Sequence, residues 1–336
     1  MTVSSPAAAA SLRTVAAGQR ITVRVPATSA NLGPGYDSLG LALSLHDTVS
    51  VETTDDDELA FAMSGEGADT LPRDASHLVV RTIDAALERL GYRRAGLRLT
   101  AINVSPHGRG LGSSASATVA AVLAARELVG PADRPDRQWV LQLCSEIEGH
   151  PDNVAPAIFG SLALSWQDGD AFRTAIARVH EDVVPIVAIP DYELSTELAR
   201  SLLPSSVPHH AAAANSGRAA LLVHALTQEP SLLVPATEDY LHQSYRASAM
   251  RPSAALIRKL RAEGHAAVVS GAGPTVLALA AGAAEADEVQ AAVERFAQGR
   301  HSSGRPDAYP TEGATAWRVM RLSVDAEGAK VEVHSR

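Results

Sequence analysis

Apolar and polar residues alternate over Ile21, Val23 and Val25, and Pro26 follows, so the spacing predicts a strand that ends at the proline. Leu41 to Glu52 and Leu97 to Val104 predict two more strands. Between them, His77 to Leu90 repeats its apolar residues at helical spacing and stops at Gly91. Ser113 to Val129 predicts a helix of small residues opening from a glycine-rich loop, Arg137 to Glu148 an amphipathic helix, and Gly160 to Trp166 a buried strand. The second half predicts a strand over Pro185 to Ile189, then helices over Thr196 to Leu203, Ala211 to Leu226 and Ser253 to Glu263. Strands over Ala266 to Ser270 and Thr275 to Ala280, a helix over Ala283 to Gln298 and two strands after Thr315 complete the chain.

Strands and helices intermingle without a regular βαβ period, so the expected class is α+β. A length of 336 residues is enough for two domains. The polar stretch from Gln167 to Arg173 is the expected boundary, giving domains over 20–166 and 167–336. Residues 1–19 are expected to form a flexible tail, and the Gly/Pro/Ser-rich stretch from Gly299 to Gly313 a mobile loop.

Composition narrows the function. A net charge of −9 argues against a nucleic-acid binder working by phosphate neutralisation. No apolar run approaches the roughly 18–20 residues of a membrane span, and no basic region precedes the N-terminal alanines as a secretory signal requires. The single cysteine, Cys144, lies in an apolar helical pattern and reads as a buried thiol in a reducing compartment, so the expected location is cytoplasmic. The sequence leaves a homodimer open.

The segment Pro106-His107-Gly108-Arg109-Gly110-Leu111-Gly112-Ser113-Ser114-Ala115 carries the strongest chemical signal. Glycines at alternate positions tolerate positive φ and close approach, and the helix that follows offers free amides and a positive dipole end to an anion such as a triphosphate. The only lysines are Lys259 and Lys330, far from this loop, which excludes the Walker A pattern. The glycine spacing also departs from the dinucleotide fingerprint. The plain alternative is a glycine-rich turn capping a helix.

Further clusters are ambiguous by themselves. In Glu148-Gly-His-Pro-Asp152-Asn153, the glutamate can supply one carboxylate to magnesium, and Asp152 and Asn153 can face a reacting hydroxyl. Equally, Gly149 can end one helix and Asp152 cap the next. In Val25 to Gly40, Asn31 and Asp37 offer acceptors to an ammonium or hydroxyl, or serve a tight turn. Ser270 to Thr275 reads as a bend between two strands.

The loop matches P-x-x-x-G-L-G-S-S-A, the signature of the GHMP kinases, at every fixed position. P-A-T-S-A-N-L-G-P-G-Y-D at 26–37 and E-G-x-x-D-N-V-A-P-A-I-F-G at 148–160 resemble the homoserine kinase branch of that family. The likeness runs from about Arg20 to Ala280. It implies a two-lobed fold, with an N-terminal nucleotide-binding lobe and a C-terminal ferredoxin-like α/β sandwich. It also implies phosphorylation of the L-homoserine hydroxyl by ATP with Mg2+, as in threonine biosynthesis. ATP would lie over residues 106–115, with Ser114 and Glu148 at the metal and Arg109 helping to offset phosphate charge. Asn31, Asp37 and Asp152 would face the amine and hydroxyl of the substrate, Asn153 the reacting centre. Thr196, Arg200 and Arg246 occupy positions that hold the substrate carboxylate in such kinases, a task suited to arginine's planar fork. The Ser270–Thr275 bend would shape the phosphate loop. The rivals are a mevalonate-type kinase of the same family and a non-catalytic ligand sensor on the same fold.

Overall fold

The computed structural model describes residues 11–299 and 315–334. The first part of the chain runs β1 (Arg13–Thr14), β2 (Arg20–Ala30), β3 (Leu39–Thr54), β4 (Leu59–Gly65), α1 (Leu78–Arg89), β5 (Tyr92–Arg93), β6 (Gly96–Asn103), α2 (Ser113–Leu128), α3 (Arg137–Glu148), α4 (Val154–Phe159), β7 (Leu162–Asp168) and β8 (Ala171–Ala177). The rest runs β9 (Val183–Pro190), α5 (Thr196–Ser201), α6 (His209–Thr227), α7 (Leu233–Ala236), α8 (Gln243–Arg246), α9 (Arg251–Ala262), β10 (Ala266–Val269), β11 (Val276–Ala281), α10 (Ala283–Ala297), β12 (Trp317–Arg321) and β13 (Lys330–His334).

The larger sheet is ordered β13-β2-β3-β6-β4, with β7 pairing β3 and β8 pairing β7. Its inward side chains, among them Ile21, Val23, Val49, Val51, Leu97 and Leu99, pack with Val80, Ile83, Val119, Leu123 and Leu141 from the helices. The second sheet, β10-β11-β9-β12, is antiparallel throughout. In chain order β9 is its first strand and β12 its last, so the spatial order is the 4-1-3-2 of a ferredoxin-like lobe, with α9 and α10 as its crossovers. The architecture is two-lobed α+β, as the sequence leads one to expect.

The strand predicted to end at Pro26 continues to Ala30. The register with β3 shifts between Pro26 and Ala27, a bulge of the kind that admits proline inside a strand. Beyond the bulge every residue of β2 is buried, because Ala27 joins Leu41, Leu43 and Leu45 in a second core shared with Val187, Leu222 and Leu279 of the other lobe. The polar stretch 167–173 is the turn and start of the β7–β8 hairpin, and sheet membership changes only between Ala177 and Val183. It is polar because β8 lies at the sheet's edge and only Phe172 of its residues is buried. Residues 11–19 do not form a tail: β1 pairs in parallel with β5 and Val15 is buried. Residues 1–10 of the expected tail, and 300–313 of the expected loop, lie outside the described residues. Strands β4 and β8 were not visible in the sequence pattern.

The end of the chain returns to the first lobe. Ser161 N–H donates to the Asp325 carbonyl (2.6 Å), Ala329 N–H to that of Ala157 (2.9 Å), and β13 pairs with β2. The fit is tight at Gly160, where φ is 76°, ψ is −176°, and an added Cβ would stand 2.5 Å from the Glu327 amide nitrogen. Gly169, at φ 60°, has nothing within 4 Å of such a carbon. Gly169→Ala should therefore cost about 1 kcal/mol, the strain of the left-handed region alone. Gly160→Ala adds the clash and should cost about 3 kcal/mol or more. Urea unfolding midpoints of the two variants check the ranking; equal midpoints would remove the packing argument.

Candidate functional site

Residues 106–115 run between β6 and α2 across the junction of the lobes. Gly108, Gly110 and Gly112 all take positive φ, at 63°, 80° and 68°. Four consecutive carbonyls of this loop are held by the protein. Gly108 accepts from Leu194 N–H (3.1 Å), Arg109 from Thr275 N–H (3.2 Å) and Leu111 from Thr28 N–H (3.1 Å). Gly110 accepts from the Ser270 hydroxyl at 2.6 Å. A trans peptide directs its C=O and the next N–H oppositely, so the amides of Arg109 to Gly112 turn away from these anchors. None of the amides from Arg109 to Ala115 finds an acceptor among the described residues. Such a row of free N–H groups running into a helix N-terminus is an anion cradle.

The glycines meet protein before they meet any ligand. A Cβ on Gly110 would stand 2.3 Å from the Ser270 carbonyl oxygen, and one on Gly112 would stand 2.1 Å from the Thr28 hydroxyl. Pro106, Leu111 and Ala115 are buried, leaving Gly108, Gly110, Gly112 and Ser113 at the partly open surface of the loop. Arg109 is held by the Pro190 carbonyl and lies 3.9 Å from Glu193, so its charge is engaged at the end of β9. A cavity of about 260 Å³ adjoins the loop, lined by Val25, Val49, Ala101, His107, Ser113 and Ala117 among others. Its mostly apolar wall suits the nucleoside half of a nucleotide.

Ser114 and Glu148 come together. The Ser114 hydroxyl donates to one oxygen of Glu148 at 2.9 Å, and the Thr118 hydroxyl donates to the other at 2.7 Å. Ser114 and Thr118 share a face of α2 at a four-residue spacing, and Gly149, at φ 82°, ends α3 just after Glu148. These are three hard oxygen donors with one carboxylate, and they fit Mg2+, which completes its shell with phosphate oxygens and water. Among the described residues no group of three or more His, Cys, Asp and Glu side chains forms a metal cage. Cys144 packs beneath, 3.9 Å from the Thr118 carbonyl; burial, reinforced by the Glu148 charge, pushes its thiol well up and keeps it protonated.

Beside this corner, Asp152 is buried and its carboxylate lies 2.6 Å from His150 Nδ1. Burial works against a charged His150, but the bond to Asp152 and the Asp152 charge prevail, and its pKa is raised. Asn153 Oδ1 accepts from the Thr28 hydroxyl at 2.8 Å, and Asn153, not Asp152, caps α4. Thr28 thus links β2, the phosphate loop and Asn153.

On the far side, Asp37 and Arg200 form a two-pronged ion pair, Nη1 to Oδ2 at 3.0 Å and Nη2 to Oδ1 at 2.8 Å. Arg200 also donates to the Tyr36 hydroxyl at 2.9 Å. Asn31 does not stand free for a ligand. Its side-chain amide donates to the Gly271 carbonyl (2.8 Å) and its Oδ1 accepts the Asp37 N–H (2.9 Å), so it braces the loop that carries Asp37. Thr196 is exposed, one turn before Arg200 on α5. Arg246 is fully buried, and its bonds go to the Ala199 carbonyl (3.2 Å), His242 Nδ1 (3.2 Å) and, at 3.5 Å, the Gly271 carbonyl. Among the described residues no carboxylate forms an ion pair with it. Its guanidinium carbon lies 5.4 Å from the Tyr36 ring, and that of Arg200 5.8 Å.

Sequence reading passed over Thr118, His150, Thr28, Tyr36 and His242. The four-residue step from Ser114 is a usable signal for Thr118; His150, Thr28 and Tyr36 sit inside quoted motifs and His242 lies one helical turn before Arg246, but nothing in the sequence says which atom each meets.

The pattern of the GHMP kinases N terminal domain matches residues 77–161, and that of the GHMP kinases C terminal domain residues 212–298. A homoserine kinase of Streptomyces avermitilis is 50% identical over 312 residues, 93% of this chain and 95% of that protein. A homoserine kinase of Leifsonia xyli is 47% identical over 323 residues, covering 95% and 94%. The crystal structure of homoserine kinase from Cytophaga hutchinsonii superposes with a TM-score of 0.79 at 26% identity, over 93% of this chain and 97% of that one. With both family patterns in place and about half its residues shared with such proteins over nearly its whole length, the chain belongs to the homoserine kinases of the GHMP kinase family.

Proposed function

We propose that this protein transfers the γ-phosphoryl group of ATP to the side-chain hydroxyl of L-homoserine, with Mg2+ held at Ser114 and Glu148. What carries the reading is Arg246, a buried guanidinium that forms no ion pair among the described residues, beside the Asp37–Arg200 pair and next to a loop of free amides. Asp37 and Asp239 act on this buried cation only from beyond ion-pair distance and burial penalises its charge, so an anion bonded directly to it is favoured. A zwitterionic amino acid supplies that anion to Arg246 and Arg200, and offers its ammonium to Asp37 and Asp152. Mevalonate has no ammonium and brings no cation to either aspartate. The relatives named homoserine kinase support the same substrate.

The amides of 109–115 bind and orient the triphosphate and oppose its charge without a lysine. Glu148, oriented by Thr118, and the Ser114 hydroxyl would hold Mg2+, which when bound offsets charge on the transferring group. Asp152, fixed by His150, holds the amino-acid end so that the hydroxyl meets the phosphate. A carboxylate already bonded to the His150 ring nitrogen and to an ammonium is a weak base. The hydroxyl proton therefore passes to an oxygen of the transferring phosphoryl group as the new O–P bond forms and the bond from the γ-phosphorus to the bridging oxygen breaks, releasing ADP.

An ADP-release assay across homoserine, mevalonate, galactose and threonine tests the substrate directly. Homoserine should give the highest kcat/KM, and preference for any of the others would overturn the reading. Glu148→Gln should keep the fold by circular dichroism and lower kcat by about 10²-fold or more. Turnover near wild type at limiting Mg2+ would remove Glu148 from the metal.

Arg246→Leu separates binding from stability. A lost charge-assisted bond is worth about 1.5–3 kcal/mol, so the homoserine KM should rise roughly ten- to a hundredfold with ATP KM little changed. Relief of the buried charge and loss of its three buried hydrogen bonds oppose one another in stability, so Tm is measured alongside to separate the KM effect from unfolding. Homoserine methyl ester, lacking the negative charge, should distinguish poorly between wild type and variant. Equal losses with acid and ester would refute the assignment.

A further inference from the structure

His242 is wholly buried and both of its ring nitrogens are committed. Arg246 Nη1 lies 3.2 Å from Nδ1. A guanidinium only donates, so Nδ1 must receive this bond with its lone pair. In the neutral ring the proton is then on Nε2, which lies 2.8 Å from the Gly33 carbonyl oxygen and donates to it. The bonds run from Arg246 through His242 to Gly33, at the start of the turn that carries Tyr36 and Asp37. The Tyr36 ring covers the assembly, with its centroid 5.3 Å from that of His242.

We propose that His242 is a positioning residue for the amino-acid substrate: its neutral Nε2–H tautomer locks Arg246 and the Gly33–Asp37 turn into one arrangement. The kinetic part of this rests on the amino-acid reading of the site. Protonation would place a second N–H on Nδ1, facing the Arg246 cation, and break the lock.

The surroundings favour the neutral ring. Burial opposes its charge, and Arg246 adds to that effect. Asp239, with Oδ1 at 3.7 Å, the Gly33 carbonyl and Asp37 pull the other way, and the net direction is below the ordinary histidine value. Asp239 is already engaged: it accepts the backbone N–H groups of Leu241, His242 and Gln243. The ring is therefore neutral at neutral pH, and the lock is lost as pH falls through a value below that of a free histidine.

The test compares His242→Phe, which removes donor and acceptor, with His242→Gln, which carries one of each. For Phe the homoserine KM should rise about tenfold or more while ATP KM stays within about twofold; Gln should restore most of the loss. The acid fall of kcat/KM for homoserine should lose its His242 component in the Gln variant, while His150 remains in both proteins. An unchanged homoserine KM in the Phe variant overturns the proposal. So does an equal rise in both KM values, or an acid limb that persists unaltered in the Gln variant. If Phe fails to fold, the Gln pH profile decides. Nitrogen-15 spectra of the wild-type ring give an answer that does not depend on the substrate. The Nε2–H form with Nδ1 bare supports the lock, and the Nδ1–H form overturns it. A wild type that phosphorylates no homoserine would defeat the substrate reading, and the spectrum would still decide the lock.

Discussion

Gly110 and the bend at Ser270 to Gly273 approach so closely that one added carbon would strike a carbonyl. That contact between two backbones from different lobes determines much of the rest. It lets Ser270 reach the Gly110 carbonyl and, at 2.8 Å, the Ser29 hydroxyl, tying the phosphate loop, β2 and the second sheet at one point. With the carbonyls drawn to one side, the amides are left on the other, so the anion cradle follows from how the lobes meet. A lysine is unnecessary where the free amides of residues 109–115 and a helix end already oppose negative charge.

The substrate side is built on the opposite economy. There the second lobe grips a turn of the first: Asn215 donates to the Pro34 carbonyl (2.8 Å), Asn31 to that of Gly271, and His242 to that of Gly33. These bonds involve buried side chains and hold Asp37 in a left-handed conformation at φ 53°. Asp37 and Arg200 satisfy one another in the free protein, whereas Arg246 has only neutral partners. Under the function proposed above, an arriving zwitterion has to compete with the first pair and complete the second, so both of its charges are read at once. That is a stricter condition than charge complementarity with either residue alone.

Much of this was legible from residue order. Ser114 and Glu148 could be paired because the motifs that carry them resemble those of the GHMP kinases, and the ferredoxin-like lobe followed from the same resemblance. The partner of a polar side chain was not legible. Asn31 reads as a ligand acceptor, yet it meets Gly271, a residue 240 positions away. Arg246 is informative through the absence of a carboxylate, which requires knowing every neighbour. Thr118 was lost among the small residues of α2, where a hydroxyl looks like packing. Pro26 was read as a strand end because proline usually ends a central strand; the bulge that accommodates it is a property of the pair, not of the strand. Gln167 to Arg173 looked like a linker because an edge hairpin and a linker are equally polar.

The return of β13 to the first sheet has a consequence for how the molecule can be divided. The strand order places residues 330–334 against β2, with the whole second lobe inserted between β8 and that closing strand. The first lobe is thus discontinuous in sequence, and no single cut yields it intact. A fragment ending anywhere in the connection to β9 would present the long β2 as an unpaired edge, open to other chains. Ribosomal synthesis faces the same constraint: the first lobe acquires β13 only after the whole second lobe has been made.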